Sequence, residues 1–94
     1  MKSLREWRDL ANKGDAAAAE VLGDLYVAGK GVKQDFAEAA RWFRKAAEQG
    51  DARAQTNLGF LYEQGKGVAR DFEEAAKWYR KAAEQGEQTA QSNL

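Results

Sequence analysis

Two short loops, Gly29-Lys30-Gly31 and Gly65-Lys66-Gly67, are the first places where chemistry would be sought in this chain. Glycines around a lysine can cradle a phosphate, but that loop needs a preceding strand and a fuller glycine pattern. A helical pattern precedes both, so they read as turns between helices. Ser3 and Ser92 are the only serines and the chain has no histidine, so no base stands ready to activate a hydroxyl for hydrolysis. Without cysteine there is no thiol nucleophile, disulfide or thiolate metal site. Without histidine the commonest metal ligand is missing too, and neither a cofactor nor a metal is expected. The carboxylate pairs Asp35/Glu38 and Asp71/Glu74 have the spacing of a capping box, with Asp as N-cap and Glu three residues on, which assigns them to helix starts rather than acid–base chemistry.

One cationic stripe remains. Arg5, Arg8, Arg41, Arg44, Lys45, Lys77, Arg80 and Lys81 recur at helical spacing beside Trp and Tyr, as a ridge for an anionic polymer would. Glu48 and Glu84 dilute the stripe, and cations near helix C-termini are favoured by the dipole. A solvated outer face is the preferred reading, with no nucleic-acid partner.

These residues sit on a chain that says the same thing twice. Gly14–Gln49 and Gly50–Gln85 agree at 24 of 36 positions without a gap. A repeat at that period means stacked supersecondary units. Met1–Lys13 falls in phase with the end of a unit, and Gly86–Leu94 with the start of the next. The single domain 1–94 therefore divides into a capping helix (1–13), two repeats (14–49 and 50–85) and a partial third (86–94). Ninety-four residues with 44% hydrophobic and 32% charged side chains suit one small globular domain. Fifteen cations balance fifteen anions, so no net field recommends nucleic acid or an anionic membrane. No apolar run approaches the ~20 residues that span a bilayer, and the N-terminus lacks a signal core. No membrane partner is expected, and a cytoplasmic location is favoured.

Within a unit, Ala18, Leu22, Leu25 and Tyr26 mark one face of a first helix that Asp15 caps. Gly29 and Gly31 break it, and a second helix runs from Asp35 to about Gln49 with Phe36, Ala39, Ala40, Phe43, Ala46 and Ala47 as its stripe. Gly23 and Gly59 inside the first helices cost ~1 kcal/mol each relative to Ala. Close approach of a neighbouring helix is the expected compensation. The fold class is all-α: a right-handed α/α solenoid of helical hairpins.

The shared pattern L-G-x-L-Y-x-x-G-K-G-V-x-x-D-F-x-E-A-A-x-W-[FY]-R-K-A-A-E-Q-G resembles the Sel-one-like repeat, a relative of the tetratricopeptide repeat. The resemblance covers essentially the whole chain. It implies an α/α superhelix that serves as a non-catalytic adaptor for a protein or peptide partner. One branch of that family staples each hairpin with a disulfide, and this chain, without cysteine, departs from it.

The differences between copies locate a candidate site. Within the first helices they fall mainly on one face: Ala17, Glu20, Val21, Asp24, Val27 and Ala28 against Arg53, Thr56, Asn57, Phe60, Glu63 and Gln64. A face free to differ is not packing against a repeated neighbour. In the tetratricopeptide architecture that face lines the concave groove, so Glu20, Asp24, Val27, Arg53, Thr56, Asn57, Phe60, Glu63 and Gln64 are the candidate partner-binding residues. Phe60 and Arg53 are expected to be at least partly exposed. Leu4, Trp7 and Leu10 keep an inner stripe, while Glu6 replaces the tryptophan of full units, which suits a cap. At the other end a shortened last helix is expected to leave Trp78, Tyr79 and Ala82 short of cover, a surface for a homodimer. The alternative to an adaptor is a repeat module whose role is structural or self-associating.

Overall fold

The computed structural model describes residues 2–86. Within them the chain forms five helices and no strand: α1 (Leu4–Asn12), α2 (Ala16–Ala28), α3 (Phe36–Glu48), α4 (Ala52–Gln64) and α5 (Phe72–Glu84). Helices α2 and α3 pair as one hairpin and α4 and α5 as the next, while α1 packs on α2 and α3 on α4. This is an all-α solenoid of helical hairpins. The partial third repeat lies outside the described residues.

Local chemistry sets the helix ends. Asp15, Asp35, Asp51 and Asp71 are the N-caps of α2 to α5, and each side chain accepts the amide N–H three residues on. Helices α2 and α4 stop at Gly29 and Gly65, with φ of 70° and 68°, where a side chain would be strained. The capping boxes expected at Asp35/Glu38 and Asp71/Glu74 are only half made. The Asp35 and Asp71 amides already donate to the Tyr26 and Tyr62 carbonyls, each at 3.0 Å. With no orphan donor left to satisfy, Glu38 pairs with Arg41 at 3.1 Å and Glu74 with Lys77 at 3.4 Å. The full box closes instead at Ser3 and Glu6, through bonds of 3.0 and 3.2 Å.

The core explains the small residues. A methyl group on Gly23 would collide with the ring of Phe43 across the hairpin. At Gly59 it would stand 3.0 Å from the Tyr79 ring and 3.2 Å from the Ala75 carbonyl oxygen. That proximity lets Leu22, Leu58 and Phe43 be fully enclosed.

Two members of the cationic stripe reach a tyrosine of the following unit. Arg8 donates to the Tyr26 hydroxyl at 2.6 Å, and its counterpart Arg44 donates to the hydroxyl of Tyr62. The arginine of one unit thus clamps the tyrosine of the next. Gln55, buried, donates to the Ala47 carbonyl at 3.0 Å and accepts from Gln85 at 2.8 Å. It ties the ends of α3 and α5 through α4.

Two substitutions test the packing by chemical denaturation. Leu58→Ala is expected to cost roughly 2–5 kcal/mol through the cavity it leaves. Gly23→Ala would gain ~1 kcal/mol in an isolated helix, yet here overpacking of roughly 1–3 kcal/mol makes it destabilising. A stabilised Gly23→Ala variant would refute the close contact with Phe43.

Candidate functional site

A cleft of ≈ 340 Å³ lies between α2 and α4, with residues of α3 also in its lining. Asp24, Val27, Asn57 and Phe60 line it together, four of the residues singled out from the differences between copies. The rest of the lining is Gln34, Phe36, Phe43, Leu61 and Lys66. Phe60 is 46% exposed, and the Arg53 side chain, about two turns before it on the same helix, is 70% exposed. The Lys66 ammonium lies 5.3 Å from the Phe36 ring centre and 6.0 Å from that of Phe60, a cation over two aromatic faces.

Other expected members of this face are placed differently. Glu20 and Thr56 are buried, at 8% and 7% exposure, not on a free surface. Glu20 is trapped where the start of α4 crosses α2, with Oε1 3.6 Å from Nη1 of Arg53. The Thr56 hydroxyl is spent on the Ala52 carbonyl of its own helix at 3.1 Å. Glu63 accepts the Tyr79 hydroxyl at 2.7 Å and so is committed to the α4–α5 hairpin. Gln64 is exposed but takes no part in the cleft.

The self-association patch is not a surface. Trp78 and Tyr79 are 4% exposed and Ala82 is wholly buried. Tyr79 is turned toward Gly59 of its own hairpin, and the Lys77 and Lys81 ammonium groups reach over the Trp78 ring at 5.1 and 5.5 Å.

Phe36 and Lys66 are the site residues that comparing copies could not find. Both are identical in the two units, as Phe72 and Lys30. The signal lay in adjacency instead: the second helix of one unit begins beside the turn of the next.

Electrostatics single out one end of the cleft. Burial, then the Asp51 carboxyl, pushes Glu20 up from 4.5 to about 7, and the well-solvated Arg53 only partly offsets them. Asp24 is raised in the same direction. Partial loss of solvent around its carboxyl is the main cause, opposed by Arg53 and helped by Asp51. Among the described residues no three His, Cys, Asp or Glu side chains form a metal-holding group.

Hairpins repeated at a fixed period, with an open cleft between successive first helices, define an α/α repeat protein of the solenoid class. The Sel1 repeat model matches residues 16–51 and 52–87, and the chain belongs to the Sel1 repeat family, whose members generally act as protein–protein interaction modules. A protective antigen of uropathogenic Escherichia coli with an SLR fold superposes with a TM-score of 0.91 at 45% identity, over 94% of this chain and 19% of that one. A Sel1 repeat protein of Oxalobacter formigenes gives 0.84 at 47%, over 86% of this chain and 33% of that one. Cysteine-rich protein B of Helicobacter pylori gives 0.92 at 30%, over 97% and 68%. The chain thus spans a fifth to a third of the first two. No curated protein sequence matches it.

The raised Glu20 carboxyl has a stability consequence. Between pH 4.5 and about 7 the native chain holds a proton that the unfolded chain has released, so this group's contribution falls as pH rises through that window. Glu20→Gln keeps the shape and removes the titration. It is expected to match the parent near pH 4 and to exceed it at pH 8 by on the order of 2 kcal/mol. A variant less stable than the parent at pH 8 would mean that the Arg53 pair outweighs burial.

Proposed function

We propose that this chain is a non-catalytic interaction module whose α2–α4 face holds a peptide segment of a partner protein. The observation that carries the reading is Phe60, a large aromatic left 46% exposed over a cleft. Its place in the first copy is held by Asp24, so repeat packing does not require an aromatic there. Aromatic side chains beside a pocket are the usual anchors of protein recognition. The lining fits this role, with apolar Val27, Phe36 and Leu61 below and polar Asp24, Asn57 and Lys66 at the rim. The binding unit in this reading is the pair of repeats, residues 14–49 and 50–85. Nothing in the sequence supplies a nucleophile with its base, which is why no reaction is assigned.

Selection of random displayed peptides against the whole chain tests the reading. Phe60→Ser is expected to weaken the selected peptides by at least about tenfold, the scale of an interface anchor. Its melting temperature should stay within about 4 °C of the parent, as for a surface substitution. Peptides that bind the variant and the parent equally would place recognition elsewhere.

A further inference from the structure

One end of the cleft carries more negative charge than the chain itself neutralises. Glu20, Asp24 and Asp51 meet there, and Arg53 is the cation that acts on them. Its guanidinium is 70% exposed and stands 3.6 Å from Oε1 of Glu20, long for a hydrogen bond. The other oxygen, Oε2, is buried with no donor among the described residues. Asp51 already spends Oδ1 on the Ala54 amide at 2.9 Å. Among the described residues no cation lies within ion-pair distance of Asp24, although it forms part of the cleft wall. A buried carboxylate oxygen without a donor is costly. The residue that carries it is more than nine-tenths buried, so solvent does little to relieve it. An incoming ammonium or guanidinium at Asp24 would supply the missing charge.

The apolar part of the cleft begins directly beside these acids, at Val27, and continues to Phe36 and Phe60. Lys66 closes the opposite end over the two phenylalanine rings. On the reading of this face as a peptide groove, we infer that its occupant presents a lysine or arginine next to a bulky apolar side chain. The cation sits on Asp24, with the buried Glu20 carboxyl acting on it from beside the cleft, and the apolar group lies against Val27, Phe36 and Phe60. Charge complementarity sets this choice, and it fixes a direction: the cation points to the start of α4 and the apolar group to the Lys66 turn. The next unit carries Thr56 and Phe60 at the places of Glu20 and Asp24. The acidic end therefore belongs to this one junction.

Glu20 also couples binding to pH. Its carboxyl retains a proton to about pH 7, under the influence of burial, Asp51, Arg53 and Asp24. A bound cation favours the ionised form, so protonation competes with the ligand and acid conditions weaken it.

The experiment uses the whole chain as bait for random displayed peptides at pH 8, followed by fluorescence anisotropy of the selected sequences made synthetically. Lysine or arginine within a few residues of Phe, Leu, Met or Trp should be enriched. Replacing that cation by glutamine should weaken binding about tenfold, the scale of one charge-assisted hydrogen bond. The Glu20→Gln/Asp24→Asn double variant should bind the parent peptide about tenfold more weakly. It should also lose the fall in affinity that the parent shows between pH 8 and pH 6. Peptides that depend on Phe60 but show neither cation enrichment nor sensitivity to the double variant would overturn this inference and leave the groove reading intact. Peptides indifferent to Phe60→Ser, or no binders at all, would count against both.

Discussion

Phe43 lies across Gly23 with no room for one methyl group between them, and the rest of the packing depends on that approach. A glycine in mid-helix is a poor choice on propensity alone, yet the chain makes it twice, with Tyr79 against Gly59 in the second hairpin. Each hairpin closes far enough for Leu22 and Leu58 to lose all contact with water. The inner side of each first helix is thereby used up by its own partner. Its outer side is left to face the first helix of the neighbouring hairpin, where a cleft can form. The site is a by-product of how tightly the hairpins shut.

The fold was legible because its determinants are local and written twice. Asp15, Asp35, Asp51 and Asp71 cap helices through amides three residues away, and Gly29 and Gly65 end them, all within a few positions of one another. What could not be read depends on groups brought together from farther off. Glu38 has the spacing to close a capping box, but the Asp35 amide it would satisfy is already taken by the Tyr26 carbonyl of the preceding helix. Arg8 and Arg44 look like members of a solvated stripe until Tyr26 and Tyr62, each 18 residues away, supply their hydroxyls. Spacing along one helix does not report what faces it from another.

The candidate site was legible in half for a related reason. Differences between copies reveal positions that packing leaves free, and so they found Asp24, Val27, Asn57 and Phe60. They also gathered in Glu20 and Thr56, which differ but are buried. They were blind to Phe36 and Lys66, because the two copies agree there. Trp78, Tyr79 and Ala82 fail in the opposite sense. An aromatic at 43 and 79 and identical residues at 42/78 and 46/82 mark packed positions, but do not say against what, and Tyr79 turns to its own hairpin.

Identical residues in a repeat need not have identical surroundings, and that is what makes the cleft specific. Phe36 is partly covered, with Gly67 against its backbone and the Lys66 ammonium over its ring, both from the following hairpin. Phe72, its equivalent, is 62% exposed, and among the described residues Arg70 of its own turn lies over its ring. The reverse also holds: one position that differs gives the cleft two unlike walls. A perfect repeat would present the same side chain from α2 and from α4. Here Asp24 stands on one wall and Phe60 on the other. Divergence at a few positions of a tandem array gives the cleft unlike walls, with Leu22, Leu58, Gly23 and Gly59 of the hairpin cores unchanged between the copies.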